Sequence, residues 1–333
     1  MPPPSDLPSI EPDVTPLMGG TGLADQASGP LALDAEPGAV VPGGTPAEVI
    51  PDVTPEASSS PHKKLGAVWW VSISWMAIVT FLALFAPELP IPSYRRTGLG
   101  PRLTGPTSHH ILGLDDLGRD IFSRTVFGAR VSLVVGFASI GLGLLIGGSI
   151  GLLAGYYRGR IETSLMAVMD ILLAFPSLVL ALSLVTALGQ NLRDVTIAIG
   201  ILSIAPIARI IRASTLTFAQ REFVLASRSL GAKNGRIILR EILPNVLPPA
   251  GSFALLGVAV AIVGEGALAF LGLSVPPPTP SWGSSIAAGQ TVLQQGDIWV
   301  AMVPAIAMLL TVLSLNLAGD SLRKRFEVKE GVL

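Results

Sequence analysis

The sequence predicts an all-α integral membrane protein with six spans. Half of its 333 residues are hydrophobic, its mean hydropathy is +0.63, and only 14% of its residues are charged. Soluble domains carry about 25% charged residues. Six stretches approach the roughly 20 apolar residues a helix needs to cross a hydrocarbon core of about 30 Å, and no ten-residue alternation of a membrane barrel appears. The chain has no cysteine, which excludes a disulfide framework, thiolate metal sites and a cysteine nucleophile.

Residues 1–62 hold nine acidic side chains, no Lys or Arg, and 13 of the 28 prolines, so the rest of the chain carries +8. Such a composition buries too little apolar surface to offset chain entropy, which predicts a disordered acidic tail. The segment lacks the basic and apolar regions of a signal peptide. Residues 63–333 form the transmembrane domain. Its spans are expected at 67–86, 131–156, 164–188, 195–211, 250–273 and 298–318, the fourth containing Pro206 and Arg209.

Basic residues set the orientation. With Lys63 and Lys64 inside, 15 of the 22 basic residues fall on inner segments, and both termini face the cytoplasm. Span two carries Gly143, Gly147, Gly151 and Gly155 at four-residue spacing, a row that lets a neighbouring backbone approach closely.

The first outer loop, 87–130, contains "GRDIFSRTVFGAR", whose Ile121, Phe122, Val126, Phe127 and Ala129 suggest a helix lying in the interface. Asp115, Asp116 and Asp120 stand near His109 and His110 without metal-ligand spacing. This loop reads as a docking surface or a brace for the bundle. A second outer loop, Pro276–Gly283, is rigid and proline-rich.

Asp170 in span three and Glu265 in span five interrupt apolar sequence. Each lies on a solute or proton path, pairs across helices, or sits near enough to an interface to be solvated. Arg209 and Arg212 are candidate partners. Asn316 and Asp320 read as the exit of span six, ahead of the basic cluster Arg323–Arg325.

The segment 213–249 is the most informative. Its core, "QREFVLASRSLGAKNGRIILREILPN", places five basic residues between two apolar spans. "REFVLASRSL" reads as a short amphipathic helix with Phe223, Ala226, Ser227 and Leu230 on one face and Arg221, Glu222 and Arg228 elsewhere. Gly231 supplies a stop, and Pro248 and Pro249 mark re-entry into span five. A basic loop held on anionic lipid would need charge alone. A helix, a glycine stop and a proline at set places favour a docking element.

This segment resembles the cytoplasmic signature of ATP-binding-cassette importer permeases. That pattern is Glu-Ala-Ala, three residues, Gly, nine residues, Ile, one residue, Leu-Pro. Ala226, Gly231, Leu243 and Pro244 match it, while Leu225, Ser227 and Glu241 depart. "HHILGLDDLGRDIFSRTVFGARVSLVVG", "DILLAFPSL", "EGALAFLGLSVPPPTPSWG" and "NLAGDSLR" resemble the peptide/nickel branch, in the subunit type called C for dipeptide and oligopeptide importers. Leu114 departs from that branch's usual Thr.

The resemblance, over about residues 65–327, implies a six-helix type I importer permease in a bacterial plasma (inner) membrane. It implies that Arg221–Ala232, with Leu243-Pro244, couples to a cytoplasmic ATPase. The implied partners are a second permease in a heterodimer, one or two cassette ATPases carrying ATP and Mg, an extracytoplasmic binding protein and membrane lipids. The resemblance implies no cofactor on this chain itself and no nucleic-acid partner. Asp115, Gly118, Arg119 and Asp120 in the first outer loop, and Pro280, Trp282 and Gly283 in the second, become candidate contacts for the binding protein or the other permease.

The sequence contains no Gly-x-x-x-x-Gly-Lys-Ser/Thr phosphate loop. A self-powered secondary transporter or channel would favour an internal inverted repeat, and none is convincing. All three histidines (62, 109 and 110) lie outside the spans, against a buried Ser–His protease, and nothing pairs Asp320 with Asp170 as an aspartyl dyad. The branch resembled makes peptides the expected substrate, with nickel complexes, opines or other small peptidic molecules as rivals.

Overall fold

The computed structural model describes residues 66–330, with side chains described through Arg325. The expected acidic tail, 1–62, and Lys63 and Lys64 lie outside the described residues. Every regular element among the described residues is helical. Five helices are long and apolar enough to cross a membrane, or six spans if one bent pair counts as a single span.

Helix α1 (Ala67–Leu84) leads to the first outer loop, and α2 (Ile121–Tyr157) follows. At 1.5 Å per residue the 37-residue α2 is about 55 Å long, well beyond a hydrocarbon core. The expected interfacial helix is therefore not a separate element: "IFSRTVFGAR" forms the first turns of α2. Asp120 sets this start, because its carboxylate accepts from the backbone N–H of Ser123 at 2.8 Å.

The third expected span breaks into α3 (Gly159–Ala174) and α4 (Ser177–Leu188), bent by 90°. Pro176 has no N–H to donate, and its ring pushes Phe175 out of the helical region to φ −83°, ψ 137°. Helix α5 (Leu192–Phe218) returns without a break, although Pro206 lies inside it.

After the short α6 (Glu222–Ser229), a continuous helix runs from Asn234 to Phe270. It comprises α7 (Asn234–Arg236), a π-helical stretch Ile237–Ile242 and α8 (Leu243–Phe270). Span five thus starts well before residue 250, and Pro248 and Pro249 sit inside the helix instead of marking re-entry. Helices α9 (Trp282–Leu293) and α10 (Trp299–Glu330) complete the chain. Asn316 and Asp320 are interior to α10, so they mark no helix exit.

The glycine row of α2 packs against α5. A Cβ on Gly151 would stand 2.5 Å from the carbonyl oxygen of Ala208, and one on Gly155 would stand 2.7 Å from Thr215 Cβ. Gly147 lies against the Ile204 carbonyl, and Gly143 against Ser203 and Ile207. Backbone touches backbone along this seam, which only glycine permits. The main core then gathers Val135, Val195, Ala198, Val258, Ile262, Trp282 and Leu315 from α2, α5, α8, α9 and α10. Helix α1 adds a polar tie: Trp75 Nε1 donates to Thr311 Oγ1 on α10 at 3.1 Å.

Candidate functional site: the short helix between two spans

Helix α6 stands between α5 and α7, in the connection that sequence patterning marks as a docking element. Glu222 in its first turn and Arg228 in its last complement the helix dipole. Its end is a complete Schellman motif. The Ala232 N–H donates to the Ser227 carbonyl at 3.1 Å, and the Gly231 N–H donates to the Arg228 carbonyl at 3.0 Å, with Gly231 at φ +79°. A Cβ at Gly231 would meet nothing within 4 Å, so the left-handed backbone, and not space, calls for glycine.

The helix has one apolar anchor. Val224 is fully buried and joins Tyr156, Ile211, Ile237, Ile238, Ile242, Val246 and Ala250 in a cluster under the helix. Ser227 is half-buried beside it, whereas Phe223, Ala226 and Leu230 are exposed. The face expected from spacing therefore splits: Ser227 turns toward the protein, and Phe223, Ala226 and Leu230 present an apolar row outward. Leu230 is 88% exposed, the extreme among the large hydrophobic side chains of the described residues.

A polar clasp supplements the anchor. Tyr156, at the C-terminal end of the glycine row, donates its hydroxyl to Asn234 Oδ1 at 2.9 Å. Its oxygen accepts from Arg228 at 3.3 Å, and the Arg228 guanidinium lies 5.6 Å from the ring centroid. Three elements, α2, α6 and α7, thus meet at one side chain. Val224, Tyr156 and Asn234 escaped the sequence reading; the aromatic pair at the end of the glycine row was the available signal. Leu243 is half-buried and Pro244 exposed at the start of α8, beyond the π-helical stretch. Arg221 and Ala232 are half-buried at the ends of the element.

The intramembrane charges divide. Arg209 on α5 and Asp170 on α3 form an ion pair at 2.6 Å. Arg212 pairs with Glu162 on α3, a partner that sequence reading did not name. Neither arginine reaches Glu265, which is 0% exposed; solvation near an interface is thereby overturned. Ser274 donates to Glu265 Oε1, with Ser281 and Ser132 alongside, so this carboxyl sits where α2, α8 and the second outer loop meet. Asn316 is half-buried on α10.

The outer-loop residues are internal. Asp115 accepts from the backbone N–H groups of Leu117 and Arg119 at 2.9 Å each and from Arg119 Nε at 2.6 Å. Arg124 Nε adds an ion pair at 3.6 Å. Asp120 holds His110 Nδ1 at 2.9 Å as well as capping α2. Gly118, at φ +65°, lets the loop close against Gly98 and Gly100. Asp115, Gly118, Arg119 and Asp120 are buried and serve as a brace. Pro280, Trp282 and Gly283 are buried too, which corrects their reading as partner contacts. Trp282 Nε1 donates to the Thr125 carbonyl at 3.0 Å, and a Cβ on Gly283 would lie 2.5 Å from Gly266 Cα.

Comparison with known proteins agrees with this architecture. Residues 147–329 match the family described as "Binding-protein-dependent transport system inner membrane component". The dipeptide transport system permease protein DppC of Alkalihalophilus pseudofirmus is 40% identical over 262 residues, covering 78% of this chain and 86% of that protein. The di/tripeptide transport system permease protein DppC of Pseudomonas aeruginosa is 38% identical over 294 residues, covering 86% of this chain and 96% of that protein. Among solved structures, the methionine ABC transporter MetNI in an inward-facing conformation superposes with a TM-score of 0.52 at 19% identity, over 62% of this chain and 97% of that chain. That likeness speaks for the fold, a type I importer permease. The chain belongs to the inner-membrane components of binding-protein-dependent transport systems, the multi-pass permeases of ATP-binding-cassette importers.

Proposed function

We propose that this chain is one permease of an ATP-driven importer that carries di- or oligopeptides across the plasma membrane, with both termini in the cytoplasm. It pairs with a second permease, takes its energy from one or two separate ATPases that bind ATP and Mg, and receives substrate from an extracytoplasmic binding protein. The names of the relatives, which include dipeptide, di/tripeptide and glutathione permeases, support the substrate class. The observation that carries the coupling role is α6, a rigidly stopped helix with Phe223, Ala226 and Leu230 turned outward.

The mechanism follows from how α6 is held. A partner that grips the exposed row moves a helix whose anchor and clasp connect to α2, α5 and α7. Displacement of α6 therefore reaches the glycine seam and the π-helical start of span five. Binding of ATP shifts the equilibrium between inward- and outward-open states only by its differential affinity for them.

The test is Leu230→Glu in the reconstituted transporter. A charge on the exposed row costs the ATPase contact about 2 kcal/mol, a roughly thirtyfold weaker association. Peptide uptake falls accordingly, while the amount of chain in the membrane is unchanged because Leu230 touches little of its own protein. Unaltered ATPase association and uptake would remove α6 from the coupling role.

A further inference from the structure

The pairs that join α3 to α5 are ordered the wrong way for simple struts. Asp170 lies eleven residues into α3 and Arg209 nine residues before the end of α5. Those offsets are about 17 Å and 14 Å along the helix axes. Glu162 and Arg212 lie closer to the cytoplasm. Yet the deeper pair is the more open one: the side chains of Asp170 and Arg209 are 58% and 53% exposed, against 20% and 34% for Glu162 and Arg212. A charged group facing lipid within the hydrocarbon core costs up to about 3 kcal/mol on insertion scales, so such pairs normally turn into the bundle. That cost disfavours lipid contact for the Asp170–Arg209 pair. Further along the chain, the break at Phe175–Pro176 also leaves Ala174, Phe175, Leu178 and Val179 exposed.

We propose that Asp170 and Arg209 line a water-filled path in the assembled transporter and bind the zwitterionic backbone of a passing peptide. The inference rests on the peptide-permease reading. Arg209 offers planar donors to the terminal carboxylate, and Asp170 accepts from the terminal ammonium. In the empty state the two satisfy each other at 2.6 Å. A peptide opens the pair and replaces each partner with a charge of the same sign, so the site is never left with an unpaired charge. Side chains of any kind are tolerated, because only the termini are read.

The chain's lack of cysteine makes a direct test possible. Ala167→Cys and Ala174→Cys, one turn either side of Asp170 and both exposed, leave the ion pair intact. In proteoliposomes holding the full transporter with cysteine-free partners, a charged aqueous thiol reagent is expected to label both. Saturating dipeptide, delivered with the binding protein, is expected to slow labelling about tenfold, whereas an N-acetylated, C-amidated dipeptide is expected not to. Asp170→Asn combined with Arg209→Gln is expected to lower uptake of free dipeptide about tenfold while ATP hydrolysis continues. If neither cysteine is labelled at any stage of the ATP cycle, the face is covered by protein and the proposal falls. Labelling without protection, together with normal uptake by the double variant, also overturns it, since a strut replaced by a neutral pair behaves in that way. Failure of the wild-type transporter to import any peptide would instead strike the functional reading on which the inference rests.

Discussion

The α2–α5 seam and the α3–α4 pair are equally apolar, yet they have opposite fates in the structure. Along the seam, four glycines bring two backbones together, and a Cβ at Gly151 would lie 2.5 Å from a carbonyl oxygen. Along α3 and α4 the buried residues are Met169, Ala181 and Val185. One region is held by its own chain; the other leaves its surface to whatever the assembled transporter supplies. The difference teaches that hydropathy says only that a segment leaves water. Side-chain size decides whether the chain can then pack against itself.

Substitutions can break that comparison. Gly151→Leu is expected to have the largest effect, because the inserted side chain meets backbone, not yielding side-chain ends. A cost of about 3 kcal/mol, at the upper end for overpacking, should appear as a lowered unfolding midpoint of the detergent-solubilised chain. Gly231→Ala comes next. It has open space but keeps φ at +79°, so about 1 kcal/mol of backbone strain falls on the end of α6 alone. Hydrogen exchange at Ala232 and its neighbours would register it, with the seam unchanged. Leu178→Ala on α4 should be smallest, within about 0.5 kcal/mol for the isolated chain, since its side chain is exposed there. A large destabilisation by Leu178→Ala before assembly would mean that α4 is already packed, and the contrast would collapse.

The ion pairs sharpen the same lesson. Charge spacing suggested Arg209 and Arg212 as partners for Asp170 and Glu265, and the structure brings only Arg209 and Asp170 together. Arg212 lies three residues further along α5, where it reaches Glu162. Glu265 faces away from both, toward Ser274, and no periodicity could show that the second outer loop folds back over it. The same fold-back buries Trp282 and Gly283, which a proline-rich outer loop leads one to place at the surface.

The sequence by itself determined that the chain is helical and crosses a membrane, that a glycine row forms one tight helix contact, and that a short helix stops at Gly231. These follow from local quantities: transfer free energy summed over a stretch, side-chain size at a fixed spacing, and the φ that only glycine adopts cheaply. Tertiary structure alone decided which prolines break a span. Pro206, Pro248, Pro249 and Pro304 sit inside helices, while Pro176 ends one with a right-angle turn. Each removes the same N–H. What differs is whether neighbouring helices hold the axis straight and satisfy the freed carbonyl, and that depends on residues far away in the chain.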